Sequence, residues 1–281
     1  MNSENIRSNR KKYIKSALVL LIVIALLLFC SYQNRHLETT YYTYKAEQLG
    51  ADLEGYRIVQ ISDLHNVKFG KNNQKLVDRI RECEPDMIVL TGDLVDSNHT
   101  NVDRAVQFVD EIVKICPVYY VTGNHEYWLD TSEYEKLMDG LVSAGVVILD
   151  NQVVEISRGD AKFRLVGLDD KSLADGTLEA LLSDEKELTV VLAHEPQYFA
   201  RYAGTGVDLV LSGHAHGGQF RLPFVGGIVA PDQGFLPEYT AGEYYMNGTE
   251  MIVSRGLGNS VIPVRLFNYP EIVCVELVGM H

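Results

Sequence analysis

Residues 57–65 read Arg57-Ile-Val-Gln-Ile61-Ser-Asp63-Leu-His65, an apolar, β-branched run that breaks into an acid and a histidine. The construction recurs four times. Met87–Leu90 runs into Gly92-Asp93, and Val118–Val121 into Gly123-Asn124-His125-Glu126. Thr189–Leu192 runs into His194, and Val207–Leu211 into Gly213-His214-Ala215-His216. Short β-branched runs bounded by turn residues read as strands. In open α/β sheets the crevice that takes a ligand lies outside the carboxyl ends of the strands. Five polar strand ends therefore predict one place, rich in carboxylate, amide and imidazole. That mixture suits a pair of divalent metals.

Between these strands the spacing predicts helices over 72–83, with Leu76, Ile80 and Cys83 on one face, and over 102–115, with Val102, Val106, Val109 and Val113 in register. A third helix is expected over 132–144, closed by Gly145, and a strand over 146–149. The pattern then changes. Residues 152–156 and 163–166 flank Arg158-Gly159-Asp160 as a hairpin, a short helix follows near 198–203, and two apolar strands close the chain near 251–253 and 272–277. Alternation first and strand-rich segments later imply an α/β domain of two packed sheets flanked by helices.

The 281 residues suit one large domain with appendages, with ample chain for a core. A formal net charge of −13 leaves no overall basic footprint, so no nucleic-acid partner is expected. Residues 1–15 are the exception, carrying Arg7, Arg10, Lys11, Lys12 and Lys15 against Glu4. Ala17 to Cys30 follows without a charge or breaker; extended from Tyr13 to Tyr32, with Lys15 snorkelling, it is long enough to span a bilayer. A cleaved signal peptide would share these features, but no pair of small residues marks a cleavage site after Cys30. The expected organisation is a basic cytoplasmic tip over 1–15, a transmembrane anchor over 16–32, a linker over 33–50 leading into an edge strand, and one domain over 51–281 outside the cytoplasm. The four cysteines, Cys30, Cys83, Cys116 and Cys274, form no CxxC motif and read as reduced thiols.

The strand-end motifs, with Ser254-Arg-Gly-Leu-Gly258 and the segment 265–272, make the sequence resemble the calcineurin-like metallophosphoesterases, and among them the bacterial membrane-associated or exported branch. The resemblance implies a four-layer α/β/β/α sandwich and a dinuclear centre of Mn, Fe or Zn. By motif position, Asp63, His65 and His216 would hold one ion and Asn124, His194 and His214 the other, with Asp93 bridging both. Asp suits the bridge because it offers two oxygens, while Asn124 offers a neutral carbonyl. The glycines beside Asp93, Asn124 and His214 would let the backbone approach closely. His125 would not be a ligand but would protonate the leaving alkoxide. Asp96 is a candidate to orient His125, although Ser97-Asn98 stands where related phosphatases carry Arg-Gly. Glu126 reads as a hydrogen-bond partner behind the ligands. Asp169-Asp170 could face the site or make a turn, and Arg221 reads as a solvated loop residue.

The activity implied is hydrolysis of phosphate mono- or diesters by a bridging water, with a phosphate-ester substrate that could be a lipid or a cell-envelope polymer. A narrower alternative is a lipid-linked or nucleotide-sugar pyrophosphate hydrolase resembling UDP-2,3-diacylglucosamine hydrolases. A non-catalytic metal-binding envelope module is the alternative outside enzymes. Substrate choice is assigned to loops 66–72, 127–133 and 220–245.

Overall fold

The computed structural model describes residues 3–47, 49–174, 176–182, 187–259 and 262–280. In chain order, helix α1 (Ser3–Gln33) leads into β1 (Glu38–Ala46) and β2 (Tyr56–Ile61), then α2 (Gln74–Glu82), β3 (Met87–Thr91), α3 (Val102–Ile112) and β4 (Val118–Val121). A single helical turn, α4 (Asn124–Tyr127), precedes α5 (Thr131–Ala144), β5 (Val147–Ile148) and the hairpin of β6 (Gln152–Arg158) with β7 (Ala161–Gly167). After α6 (Thr177–Leu181) come β8 (Thr189–Leu192), α7 (Phe199–Gly204) and β9 (Leu209–Ser212). Two small hairpins follow, β10 (Arg221–Leu222) with β11 (Gly226–Gly227) and β12 (Val229–Ala230) with β13 (Gly234–Phe235). Strands β14 (Gly242–Met246), β15 (Thr249–Val253) and β16 (Glu271–Gly279) complete the chain.

Two six-stranded sheets form, ordered β1-β16-β2-β3-β4-β5 and β14-β15-β9-β8-β7-β6. Three apolar cores separate four layers. Ile58, Val89, Phe163, Leu165, Val190, Leu211 and Val275 fill the space between the sheets. Leu76, Ile80, Ala105, Phe108, Val109 and Leu137 seal α2, α3 and α5 onto the outer face of the first sheet. Phe199, Tyr202 and Ala203 of α7 and Leu178 of α6 cover the second sheet with Val191, Val210 and Met251. This is the α/β/β/α sandwich. Strands buried on both faces carry continuous apolar runs rather than alternation, as β3, β8 and β9 do.

The helix ends follow local chemistry. The Asn101 side chain accepts from the Arg104 N–H to start α3, and Asp130 accepts from Glu133 to start α5. Gly145, at φ 93°, stops α5. Helix α3 ends at Ile112 rather than 115, because the chain must leave helical geometry before Pro117. The segment 33–50 contains the edge strand itself. Gln33 is the last residue of α1, and β1 pairs in parallel with β16, Glu38 opposite Glu271. That pairing lies more than two hundred residues away in sequence, so local composition could not show it.

Helix α1 contains the one stretch among the described residues long and apolar enough to cross a membrane, Lys11–Gln33. Its end is fastened to the body. Gln33 Nε2 donates to the Tyr269 hydroxyl at 3.3 Å, and Asn34 bonds Pro263 O at 2.7 Å and the Arg265 N–H at 2.8 Å. The rings of Tyr32, His36 and Tyr269 pack together, and Phe29 meets Phe267 edge-on at 6.0 Å.

Candidate metal centre

The chain turns sharply where β2, β3 and β9 end. Asp63, His65, Asp93, His214 and His216 all have φ between 44° and 64°. Left-handed backbone is costly for residues with a Cβ and persists where the surroundings over-determine it, as at functional sites. These turns fold the side chains back over the sheet edge. Close packing demands glycine beside them. A Cβ on Gly92 would lie 2.6 Å from His194 Nδ1, and one on Gly213 would run into Ser62 and Asp63.

The donor atoms of Asp63, His65 and His216 lie within 4.8 Å of one another, as do those of Asp93, His194 and His214. All six residues are buried. Asn124 joins the second group, its Oδ1 lying 3.1 Å from His194 Nε2 and 3.0 Å from His214 Nδ1. The first sheet supplies Asp63, His65, Asp93 and Asn124, and the second supplies His194, His214 and His216.

The donor set fits a pair of cations. His194 Nδ1–H donates to the Thr91 carbonyl at 2.8 Å, which leaves a bare lone pair on Nε2. His214 Nε2–H donates to Asp232 Oδ2 at 3.0 Å, which leaves Nδ1 bare. These two nitrogens stand 3.2 Å apart, facing the Asn124 carbonyl oxygen and Asp93 Oδ2. Four donor atoms thus converge on one point. Burial pushes the His194 imidazole down, but the Asp93, Asp63 and Asp170 carboxylates outweigh it and push it well up. This cluster of nitrogens and oxygens therefore calls for a positive charge, which a cation supplies. In the first group, both ring nitrogens of His65 and Nδ1 of His216 are buried without a hydrogen-bond partner among the described residues. Buried polar atoms ordinarily have one.

Asp93 sits between the two groups. Its Oδ1 accepts the His125 backbone N–H at 2.9 Å. Oδ2 alone faces both groups, 3.4 Å from His65 Nε2 and 3.5 Å from His194 Nε2. Oδ2 thus lies between the groups, while Oδ1 also serves the backbone of α4. Burial pushes the Asp93 carboxyl up, but the imidazoles of His194, His65 and His125 outweigh it and hold Asp93 well below the usual carboxylate range. Burial pushes the His65 imidazole down to about 3, and burial with Arg265 pushes His216 well down, so both rings offer lone pairs.

Glu126 lies behind these donor groups. Its Oε2 accepts the N–H groups of Asp93 at 2.9 Å and Gly123 at 2.8 Å, tying two strand ends together. Burial, with the Asp93 charge beside it, pushes its carboxyl up to about 8. Asp63 ties the sheets to each other by accepting the His214 N–H at 3.0 Å.

The His125 ring stands 4.5 Å from that of His65 and 4.8 Å from Trp128. Ser97 is closer to it than Asp96. The Ser97 N–H donates to His125 Nδ1 at 3.1 Å, whereas Asp96 Oδ1 is 3.8 Å away and accepts the Asn98 N–H. With Nδ1 accepting, the neutral ring carries its proton on Nε2. Of Asp169-Asp170, Asp169 accepts from the Tyr127 hydroxyl, while Asp170 is half-buried near His194; burial, together with the charges of Glu195 and Asp93, pushes it up to about 7. Arg221 is not a solvated residue. It is half-buried and donates to the Gly217 carbonyl at 2.8 Å and to Thr240. Two contributors escaped the sequence reading. Asp232 comes from the turn joining β12 and β13, and Arg265 is fully buried, bonding the carbonyls of Arg255 and Gly258 behind Asp63.

Residues 56–218 match the calcineurin-like phosphoesterase family. The chain belongs to that family, and with it to the dinuclear metal-dependent hydrolases. It is 32% identical to the uncharacterized metallophosphoesterase YkuE of Bacillus subtilis, over 89% of this chain and 88% of the relative. It is also 32% identical to the phosphodiesterase YaeI of Escherichia coli, over 79% of this chain and 82% of the relative. A transmembrane protein with a metallophosphoesterase domain from Danio rerio is 29% identical, over 82% of this chain and 55% of the relative.

Proposed function

We propose that this chain hydrolyses phosphate esters, diesters among them, with Asp63, His65 and His216 holding one divalent ion, Asn124, His194 and His214 the other, and Asp93 Oδ2 shared. The observation that carries the reading is the buried convergence of His194 Nε2, His214 Nδ1, Asn124 Oδ1 and Asp93 Oδ2. Mn, Fe and Zn all suit these donors. When bound, such a pair supplies an acidified water as nucleophile and positive charge facing the phosphoryl oxygens. The protein's own part is to hold the donors rigidly and to deliver a proton. His125, held at Nδ1 by Ser97 and backed by Trp128, presents Nε2–H to the departing alkoxide. It would give that proton from the doubly protonated ring, whose Nδ1–H the Ser97 hydroxyl is placed to accept, and return to the neutral form. The similarity to YaeI supports a diester as substrate.

The basic residues in the first turns of α1, ahead of its apolar stretch, support an orientation with the catalytic body outside the cytoplasm. A reporter fused after residue 281 tests the side. For the chemistry, the full chain loaded with Mn, Fe or Zn is assayed on an aryl phosphate monoester and a bis-aryl diester. Turnover that is lost in Asp93→Asn is the expected result. Fully loaded protein that cleaves neither ester between about pH 5 and 9 would defeat the reading.

A further inference from the structure

We propose that the face carrying Phe224 and Phe267 docks on the lipid surface of the bilayer that α1 enters, so that the body rests on the membrane instead of swinging from its anchor. This rests on α1 crossing the membrane.

The junction is stiff. Helix α1 ends at Gln33 and β1 begins at Glu38, and the bonds of Gln33 and Asn34 to Tyr269, Pro263 and Arg265 hold the helix end against the segment 263–269. The helix therefore fixes which face of the body meets the lipid. Phe29 lies four residues before Gln33, about 6 Å along the helix at 1.5 Å per residue, and it touches Phe267. Phe267 thus sits level with the buried end of the span. The Tyr32, His36 and Tyr269 cluster beside it is the amphipathic ring type enriched at membrane boundaries.

The hairpin β10–β11 continues this surface. Phe220 bridges Leu266, and the Arg221 N–H donates to Leu266 O at 2.9 Å, which sets the hairpin beside Phe267. Its tip presents Leu222, Phe224 and Val225 to solvent, with Phe224 entirely uncovered and Phe267 about half exposed. On this tight, well-bonded hairpin the body leaves Phe224 uncovered and covers only about half of Leu222 and Val225. An apolar cluster of this kind marks an interaction surface. Its continuity with the membrane helix identifies the occupant as lipid. The same segment borders the metal centre, since Asn268 Nδ2 donates to His216 O at 2.7 Å.

The test uses the full chain in phosphatidylcholine vesicles with brominated acyl chains, comparing Phe224→Trp, Phe267→Trp and Tyr245→Trp with the wild type, whose single tryptophan is Trp128. Tyr245 is exposed on β14, near the starts of β8 and β9 and so at the end of the sheet away from the site. Side chains inserted about 5–10 Å lose about half or more of their added emission to bromine, expected at positions 224 and 267 but not at 245. Vesicle flotation of the wild type is measured first, and a chain that does not float overturns both the anchor and the docking. A chain that floats, but in which the indoles introduced at positions 224 and 267 are quenched no more than the one at 245, overturns the docking alone. Emission at position 224 that is shielded from water yet insensitive to bromine would place a second copy of the chain there and likewise overturn it.

Discussion

Asp232 Oδ2 lies 3.0 Å from Nε2 of His214, on the side of the ring opposite Nδ1, the nitrogen proposed to face a metal. A carboxylate there fixes the tautomer and raises the basicity of the coordinating nitrogen. Asp232→Ala is expected to weaken metal binding about 10–100-fold while leaving the fold intact. Metal titration by calorimetry measures this, and an unchanged affinity would remove Asp232 from the site.

His125 is predicted to act on the leaving group and not on the metals. His125→Ala should lower kcat by about 10²–10⁴ on an alkyl ester, with much less loss on a nitrophenyl ester, whose leaving group needs no proton. Metal content, measured by mass spectrometry, should be unchanged. Equal losses on both esters would argue against proton delivery.

Gly213→Ala should destabilise the protein by about 1–3 kcal/mol, because the added methyl runs into the Ser62 hydroxyl and the Asp63 carboxylate. Thermal denaturation reads the cost. A neutral result would mean that the turn after β9 relaxes more freely than its hydrogen bond to Asp63 suggests.

Glu250 gives a pH dependence far from the metals. Burial, and then the Glu243 carboxylate, push its carboxyl up to about 7. The folded state therefore holds this proton more tightly than the unfolded chain. The stabilisation is complete below the ordinary carboxylate range and is lost as pH rises through about 7. Glu250→Gln should melt like the wild type at low pH and at higher temperature above about pH 8. Melting curves whose difference does not change with pH would refute the assignment.

Removing metal should lower the melting temperature. An ion held at about a hundred times its Kd adds about 2.7 kcal/mol to stability, so chelation should subtract a comparable amount for each site. Calorimetric scans with and without chelator test this, and identical scans would show that the donors bind no ion tightly.

The sequence exposed most of this centre because each donor directly follows an apolar strand, and a strand's end fixes where the next few residues lie. Asp63, His65, Asp93, Asn124, His194, His214 and His216 do meet at one edge. The layer order followed in the same way from strand-helix alternation. Long-range features were not readable. The parallel pairing of β1 with β16 joins the two ends of the domain. The Ser97 bond to His125 displaces the expected Asp96 because a backbone N–H, invisible in composition, reaches the ring first. Asp232 sits in a Gly- and Pro-rich stretch whose path depends on two hairpins of two-residue strands, too short to leave a periodic signal.

Asp63 and His214 are 151 residues apart in the chain, on different sheets, and each proposed ion takes donors from both. Neither sheet alone carries a complete coordination set. Ion capture must then follow the meeting of the two sheets, which makes bound metal a reporter of finished assembly. A chain released early, or nicked between β7 and β8, would remain chemically silent until its halves came together.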